Sequence, residues 1–256
     1  MKYIKCLLVN TIAFLRGRSI VFNYDKDQEL FLVKESGRVL YFSDFDRGKR
    51  LYRNGLKERA EKLANSYQLQ LMSWGSGGGA VIDCGANYGD LLLYLDINGF
   101  LEHSDYYGFE PSPREYRSIS NTYPAANLFC KGLGDKEGKL EFYISNKRGD
   151  SSFVRPKRFT HKIYSEVVKL DDFLHHKSIK KIKLLKVEAE GFEPEILSAA
   201  SYALSISEYV AIDGGYERGV KQEQTFTSQC NILYQSGFEM IGVYFNFGRA
   251  LFRKIN

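Results

Sequence analysis

Apolar residues follow two alternating patterns along the chain from residue 80 onward. Short continuous apolar runs, typical of buried strands, are each followed by a longer stretch with helical periodicity. Regular alternation of this kind predicts a parallel sheet covered by helices on both faces. The strands are predicted at 80–84, 104–109, 127–131, 182–188, 208–213, 238–245 and 248–253, and the helices near 90–98, 113–122, 193–206 and 222–235.

The alternation changes at two places. At the C-terminus the strands 238–245 and 248–253 follow each other across a tight turn, which predicts an antiparallel hairpin. Between residues 138 and 170 an insertion carries strands at 140–144 and 164–170 around a long polar loop, a kind of loop that tends to be functional or mobile. The predicted fold class is therefore α/β, with a doubly wound, mostly parallel sheet closed by an antiparallel C-terminal hairpin.

The first 79 residues follow a different pattern. An apolar N-terminal helix precedes two or three short strands within 19–43, and a basic helix follows over 46–71, where Gly55 is a candidate break. The glycine-rich stretch 73–79 indicates a flexible joint. Two units are predicted: an N-terminal extension at 1–79 and a main domain at 80–256.

The N-terminal helix has three interpretations. Its apolar run follows a basic start, as in a signal peptide, but arginines stand where a small-residue cleavage site is expected. The run is also too short to span a bilayer. The alternatives left open are a helix packed on the domain, a helix at a membrane surface, and a true signal peptide. The basic residues that flank it are Lys2, Lys5, Arg16 and Arg18.

Composition narrows the class of protein without naming a function. The 256 residues can form one sizeable core, and the net charge of +5 permits an acidic partner without demanding one. The four cysteines are scattered, with no C-x-x-C pair. Free thiols in a reducing compartment are the plainest interpretation, so we predict a cytoplasmic location.

The stretch from Ala80 to Asp90 carries the first candidate chemistry. A short apolar run ends in Asp83, glycines follow at Gly85 and Gly89, and an apolar helix then begins. Glycines allow a sharp turn and close approach of a ligand, and the helix start offers free N–H groups. Glu110 ends the next strand, where an acid suits the hydroxyls of a ribose. A nucleoside ligand is therefore expected.

The glycine spacing favours one nucleoside over another. A dinucleotide site needs G-x-G-x-x-G, but this chain has G-x-x-x-G with Asn87 in place of the middle glycine. S-adenosylmethionine has a ribose and no phosphate, so it needs no such glycine. An NAD-dependent oxidoreductase remains the alternative.

An ordered set of motifs resembles the FkbM family of S-adenosylmethionine-dependent methyltransferases. The set covers about residues 80 to 215, and Glu188 stands where the family usually has Asp. The matching pieces are Val81–Gly89, Gly108–Pro113, Gly132–Asp135, Gly149–Phe153, Val168–Leu174, Leu185–Glu193 and Pro194–Leu197. The resemblance implies a class I, Rossmann-like methyltransferase fold and O-methylation of hydroxyls on sugars, glycans or similar biosynthetic products.

The same motifs predict the cofactor contacts. We assign Asp83 and Gly85 to the methionine end and Glu110 to the ribose hydroxyls. Asn87 is expected either to hydrogen-bond the methionine end or to satisfy its own turn, and Asp135 either to contact the adenine amine or to form a turn. The predicted cofactor-binding residues are Asp83, Gly85, Asn87, Gly89, Glu110, Pro111 and Asp135.

The candidate catalytic residues are carboxylates at strand ends, which face the ligand crevice of an open α/β sheet. A hydroxyl acceptor profits from a base that takes its proton, worth ~10²–10⁴-fold in rate. The candidates are Glu188, Glu190 and Asp213. Pairing of Glu188 with Lys186, first-turn helix acids at Glu190 and Glu193, and Mg²⁺ binding by the three candidates are the alternatives; His161 is a weaker candidate base.

The partner is predicted to be a hydroxyl-bearing acceptor and not a nucleic acid. A nucleic-acid amine methyltransferase is expected to have an Asn/Asp-Pro-Pro-aromatic run after the fourth strand, where this chain has Val187–Glu190. The rival from another class is a non-catalytic nucleoside-binding partner of a glycan assembly enzyme. Peripheral contact with the inner face of the membrane through the N-terminal helix is a further expectation.

Overall fold

The N-terminal extension forms a small antiparallel sheet with helices on either side of it in sequence. The computed structural model describes residues 2–75, 78–145 and 151–255. The order β1-β2-β3 follows the chain. The elements of the extension are α1 (Lys2–Leu15), β1 (Val21–Asp25), β2 (Leu30–Glu35), β3 (Arg38–Phe42), α2 (Phe45–Tyr52) and α3 (Leu56–Ser66), followed by a 3₁₀ turn at Leu69–Leu71.

Gly55 breaks the predicted helix over 46–71, as its sequence position indicated. Its φ of +115° is a conformation that favours glycine, and a Cβ there would lie 2.6 Å from a carboxylate oxygen of Glu35. The other Glu35 oxygen accepts a hydrogen bond from the Leu56 amide at 2.6 Å. Glu35 therefore binds the start of α3 and separates it from α2.

The main domain alternates strand and helix as the apolar pattern predicted. Its elements are β4 (Ala80–Cys84), α4 (Asp90–Ile97), β5 (Tyr106–Phe109), α5 (Pro113–Thr122), β6 (Asn127–Phe129), β7 (Gly132–Leu133), β8 (Gly138–Ile144), β9 (His161–Val168), α6 (Leu170–His176), β10 (Ile182–Val187), α7 (Glu193–Ser198), α8 (Ser201–Ile206), β11 (Ser207–Asp213), α9 (Phe226–Gln235), β12 (Phe238–Tyr244) and β13 (Arg249–Lys254), with 3₁₀ turns at Phe100–Glu102 and Phe245–Phe247.

Seven strands form the central sheet, in the order β12-β13-β11-β10-β4-β5-β6. The pairs from β11 to β6 are parallel, and β13 is antiparallel to both β11 and β12. The order in which strands are added to the sheet reverses between β4 and β10. Every residue of these two strands is buried. The predicted class I methyltransferase fold is confirmed, and the crevice that such a fold offers lies where the strand order reverses.

The structure corrects two details of the predicted elements. The helix expected over 193–206 is two helices, because the Asp171 carboxylate accepts the Tyr202 and Ala203 amides at 2.8 and 2.9 Å and so caps a new helix start. Asp171 itself lies on α6, a short helix that the apolar pattern did not predict. The insertion forms a sheet of its own, β7-β9-β8. The first two residues of the motif at 149–153 lie outside the described residues.

The extension and the main domain share one hydrophobic cluster. It joins Leu56 and Leu63 of α3 to Leu91 and Leu95 of α4, among other buried residues. The predicted boundary between residues 79 and 80 is therefore a change in sequence pattern, and one hydrophobic core extends across it. No helix among the described residues is long and apolar enough to span a membrane.

Candidate active site

A cleft opens at the carboxyl ends of β4, β5 and β10. It holds about 970 Å³ of space, part of it open to solvent. The main domain supplies the glycine loop, the end of β5 and the segment after β10, and the extension and the insertion supply further walls. Its lining includes Arg47, Arg59, Asp83, Gly85, Asn87, Glu110, Pro111, Phe142, Phe153, Lys186, Glu188, Glu190 and Arg249.

The turn after β4 is held in a conformation that requires glycine. Gly85 has φ +79°, and a Cβ on it would fall well inside contact distance of the Glu188 carbonyl oxygen. Asn87 has φ +51°, which asparagine tolerates better than most residues. Gly89, with φ +89°, is the N-cap residue of α4. The turn thus lies directly against the segment after β10, and Asn87 faces the cleft from it.

Glu110 connects the glycine turn to the start of the next helix. One carboxylate oxygen accepts the Asn87 amide and the other accepts the Ser112 amide, both at 2.8 Å. Burial, and next the charge of Glu115, raise the pKa of Glu110 to about 7. Each oxygen keeps a further lone pair, so this carboxylate can still accept hydrogen bonds from a ligand.

Asp83 lies beneath the glycine turn and is only 1% exposed. Its oxygens accept from the Lys186 ammonium at 2.9 Å and from the Tyr106 hydroxyl at 2.7 Å. Lys186 also donates to the Gly85 carbonyl at 3.2 Å. Asp83 therefore acts on the turn through Lys186, and the sequence prediction of a direct contact with the methionine end stays a prediction.

A chain of alternating charges continues from Lys186 to the C-terminal hairpin. Lys186 is 3.0 Å from Glu188, and Glu188 is 3.0 Å from the Arg249 guanidinium. Arg249 also donates to Asp213 at 2.7 Å and to the Ser66 hydroxyl of α3 at 2.9 Å. The alternative interpretation of Glu188, a strand-end carboxylate paired with Lys186, is confirmed as a contact.

The same ion pairs give Glu188 and Asp213 different proton affinities. Burial would raise the pKa of Glu188, but the charges of Lys186 and Arg249 outweigh burial and lower it below its usual range. For Asp213, burial outweighs Arg249, and the pKa is raised. Glu188 therefore stays ionised at neutral pH and is a weak base.

The loop after β10 is braced from inside by Glu193. Its carboxylate accepts the Ala189 amide at 2.8 Å and the Gly191 amide at 3.0 Å, and it accepts the Thr225 hydroxyl at 3.1 Å. Glu193 is the first residue of α7, as the helix-start alternative predicted. Between the two braced amides lies Glu190, which faces the cleft with φ +51°. A non-glycine residue in that region marks backbone held by its surroundings.

Glu217 lies behind Glu190. A side-chain hydrogen bond joins the two carboxyl groups, which requires a proton on one of them. Burial, and next the charge of Asp213, raise the pKa of Glu217 to about 8. Arg218 fixes the segment by donating to both oxygens of Glu195, at 2.9 and 2.6 Å. The sequence analysis missed Glu217, because the segment after β11 carries no motif.

The extension contributes arginines to the cleft that the sequence did not single out. Arg59 donates to Asp90, the first residue of α4, at 2.8 and 2.5 Å, and the Tyr52 hydroxyl reaches the other Asp90 oxygen at 2.8 Å. The Arg47 guanidinium lies 4.7 Å from the ring centroid of Tyr88. Only the excess of Lys and Arg in the segment 46–59 hinted at this, and it equally suited a solvated face.

The remaining predicted residues are placed as follows. Pro111 lines the cleft. Asp135 is absent from the described lining, although Leu133 contributes to it, so its contact with adenine stays an untested prediction. His161 is exposed at the start of β9. Among the described residues, no cluster of His, Cys, Asp and Glu is arranged to hold a metal ion.

The cleft can now be compared with known proteins. A sequence model of the Methyltransferase FkbM domain matches residues 83–238, more than half of the chain. The chain belongs to the FkbM methyltransferase family. The match runs from the end of β4 to the start of β12, so it contains the glycine turn, Glu110 and the loop with Glu190, while the extension and Arg249 lie outside it.

Individual relatives are distant. The 2-O-methyltransferase NoeI of Sinorhizobium fredii is 26% identical over 150 residues, which are 51% of this chain and 60% of NoeI. The crystal structure of methyltransferase FkbM from Methylobacillus flagellatus aligns with a TM-score of 0.48 and 17% identity, over 69% of this chain and 43% of that one. The fibrillarin pre-rRNA processing protein of Methanococcus jannaschii aligns with a TM-score of 0.46 and 12% identity, over 92% and 96%.

Family membership establishes an S-adenosylmethionine-dependent methyltransferase domain, and the cleft fits that cofactor. Gly85 lines the cleft at a turn that packs closely against the Glu188 carbonyl, and Glu110 keeps free lone pairs beside this turn. No backbone cradle with a middle glycine is present at Asn87, which suits a ligand without phosphate. The NAD-dependent alternative is therefore set aside.

Proposed function

We propose that this FkbM domain catalyses O-methylation of a hydroxyl group on a sugar, glycan or similar biosynthetic product. The observation that carries the proposal is Glu190 in the wall of the cleft, with Glu217 hydrogen-bonded to it. A hydroxyl must lose its proton as the new carbon–oxygen bond forms, and this pair is placed to take it. The name of NoeI, a 2-O-methyltransferase, supports transfer to oxygen.

The residues of the cleft divide the work. S-adenosylmethionine, when bound, supplies an electrophilic methyl group on a sulfonium. Glu110 accepts hydrogen bonds from ribose hydroxyls, and Gly85 allows the turn that lines the cleft to pack against the segment after β10. Glu190 accepts the proton of the acceptor hydroxyl, and Glu217 shares that proton and positions the Glu190 carboxylate. Alignment of the acceptor oxygen with the methyl group then supplies much of the rate.

Glu188 and Asp213 have supporting roles in this proposal. Glu188 lies between two cations, which lowers its proton affinity, and Asp213, 5% exposed, accepts a hydrogen bond from Arg249 in an ion pair. Glu188 holds both Lys186 and Arg249 in place beside the cleft, and Asp213 holds Arg249. Of the three carboxylates predicted from sequence, Glu190 is therefore the one assigned the role of base, and a metal ion has no assigned role.

The rim of the cleft supports a sugar as the acceptor. Phe245 and Phe247, in the turn between β12 and β13, are 85% and 59% exposed. The Phe247 ring centroid lies 5.6 Å from the Arg249 guanidinium, which lines the cleft. Tyr216 is also exposed. It lies two residues after Gly214, whose amide donates a hydrogen bond to the Gly248 carbonyl beside this turn. Exposed aromatic rings offer flat surfaces that match the C–H faces of sugar rings.

The proposal places the reaction in a cytoplasmic, reducing compartment and gives it no nucleic-acid partner. The four cysteines are free, and Cys6, Cys84 and Cys230 are buried. Buried free thiols are expected where no oxidant pairs them.

Methyl transfer to defined acceptors tests the proposal. Purified protein is incubated with S-adenosylmethionine carrying a labelled methyl group and with separate pools of oligosaccharides, lipid-linked sugars, RNA and protein. We expect label in a sugar pool, as an ether that mass spectrometry places on a hydroxyl oxygen. Calorimetric titration with S-adenosylhomocysteine confirms that the protein is competent. Label on nitrogen, or in the RNA or protein pool, would overturn the proposal.

A further inference from the structure

Helix α1 exposes an apolar face to solvent, in contrast to the apolar residues that form the buried core. Seven of its large apolar side chains are between 51% and 81% exposed. Their spacing places them on one side of the helix, with Thr11 among them. These seven residues, called here the outer face of α1, are Tyr3, Ile4, Leu7, Leu8, Ile12, Phe14 and Leu15.

The opposite side of α1 packs against the rest of the N-terminal extension. The outer face therefore cannot turn inward unless those packing contacts break. Cys6 and Ala13 are buried against the hydrophobic cluster. In the middle of the helix, the Asn10 side chain donates to the Phe22 carbonyl at 2.9 Å and accepts the Phe22 amide at 2.7 Å. This pair satisfies the backbone of the edge strand β1, which supports the helix along its length.

The charged residues of α1 and of the chain that directly follows it are all basic. The first 24 residues contain Lys2, Lys5, Arg16 and Arg18 and no Asp or Glu. On the neighbouring element, Asp46 lies 3.7 Å from Lys5, both side chains being exposed. Lys2 donates to the Tyr24 hydroxyl at 2.6 Å. A broad apolar face bordered by basic residues is the composition of a helix that lies in a membrane interface.

We propose that the outer face of α1 docks the protein on an anionic lipid bilayer, with the helix lying in the plane of the surface. The apolar side chains would enter the boundary between headgroups and acyl chains, and the basic residues would meet anionic headgroups. A second copy of the chain is a poorer occupant, because two such faces in contact would bring eight basic side chains together, four from each copy. The inference is independent of the acceptor and of the catalytic assignment.

Vesicle co-sedimentation of the full chain tests this docking. Vesicles of phosphatidylcholine alone are compared with vesicles of mixed phosphatidylcholine and phosphatidylglycerol. We expect binding to the anionic vesicles that weakens at high salt. The triple variant Leu7→Gln, Leu8→Gln, Phe14→Gln keeps the charge and the inner contacts, and it should lower vesicle affinity at least about tenfold. The matched control is Tyr234→Gln, which removes another half-exposed apolar ring on α9.

Two measurements make the outcome decisive. S-adenosylhomocysteine affinity should be the same in wild type and triple variant, which shows that the domain remains folded. If the triple variant does not fold, the paired variant Lys5→Gln, Arg16→Gln replaces it, with weaker binding to anionic vesicles expected. Equal vesicle binding by wild type and variants would overturn the proposal. The proposal would also be overturned if wild type did not bind vesicles but formed a dimer in sedimentation analysis, and the outer-face substitutions abolished that dimer.

Discussion

The two halves of the cleft are held together in different ways. On the cofactor half, Glu110 binds backbone amides that lie 23 and 2 residues away in the chain. On the acceptor half, Arg249 binds side chains that lie 61 and 183 residues away, Glu188 and Ser66. The first half is a local turn made of backbone hydrogen bonds, and the second is an assembly of charges from distant segments. Damage to the first should therefore appear in cofactor binding, and damage to the second in catalysis and stability.

Removing the proposed base should have the largest effect on the acceptor half. Glu190→Gln is expected to lower kcat by ~10²–10⁴-fold with little change in S-adenosylhomocysteine affinity, because the side chain acts only on the acceptor proton. The measurement is the initial rate with the acceptor found in the methyl-transfer screen. Glu223→Gln, an exposed carboxylate in the segment that carries Glu217, is the control and should leave kcat unchanged.

The raised pKa of Glu217 predicts a pH dependence of kcat. That dependence distinguishes a Glu217 that positions Glu190 from one that only supports the fold. Since the pKa of Glu217 is raised to about 8, the wild-type kcat should rise with pH as the pair loses its proton. Glu217→Gln should lower kcat and flatten that rise. A variant that kept the wild-type pH profile would show that Glu217 does not share the proton.

Arg249→Met should cost the most stability. It leaves the buried Asp213 and the partly buried Glu188 with one fewer cation, and a loss of about 3–5 kcal/mol in the free energy of unfolding is expected at neutral pH. The ion pairs lower the folded-state pKa of Glu188, so their stabilisation is present above the unfolded pKa and is lost as pH falls through the folded pKa. The difference between variant and wild type should therefore shrink in acid.

Chemical denaturation at several pH values measures this loss. The control is Arg253→Met on the same strand, whose ion pair with Glu239 is exposed. Exposed pairs contribute little, so this variant should unfold almost as wild type does. Equal stability of both variants would mean that Arg249 does not hold the acceptor half together.

Gly85→Ala should break the cofactor half. The added Cβ meets the Glu188 carbonyl, and the positive φ is unfavourable for alanine, so S-adenosylhomocysteine affinity should fall at least about hundredfold, or about 2.7 kcal/mol. Gly99→Ala separates the two causes, because Gly99 has a similar φ of +71° but no atom within 4 Å of its Cβ. If both variants bind equally well, the turn does not approach the cofactor.

These two halves also differ in how far the sequence predicts them. The glycine turn and Glu110 follow from residues adjacent in the chain, because backbone conformation and strand ends are local properties. The alternation of strands and helices and the antiparallel hairpin follow from the same local patterns, whereas the strand order comes from the structure. Arg249 and Glu217 bear on the cleft only through tertiary contacts, and nothing near them in sequence marks them. The sequence does offer the pairing of Lys186 with Glu188 as an alternative, because the two residues are only two positions apart at the end of β10.

The pKa of Glu110 gives the cofactor half a pH dependence of its own. Burial raises that pKa to about 7, and only the ionised carboxylate accepts from both ribose hydroxyls. S-adenosylhomocysteine affinity should therefore rise up to about tenfold between pH 6 and pH 8, as the ionised fraction grows. Glu110→Gln should bind more weakly at pH 8 and show no such rise in calorimetric titration. A wild-type affinity that is flat across this range would contradict the role of Glu110.

The smallest effect is expected at the aromatic rim, where the acceptor half meets solvent. Phe245 and Phe247 are exposed and have no group that can take a proton, so their replacement should remove binding that the ground state and the transition state share. Phe245→Ala and Phe247→Ala should each raise the KM for a sugar acceptor about three- to tenfold while kcat and the KM for S-adenosylmethionine stay near wild type. Tyr234→Ala, an exposed ring on α9, is the matched control. A fall in kcat equal to the fall in kcat/KM would instead place these rings at the reacting atoms, and an unchanged KM would remove the rim from the acceptor site.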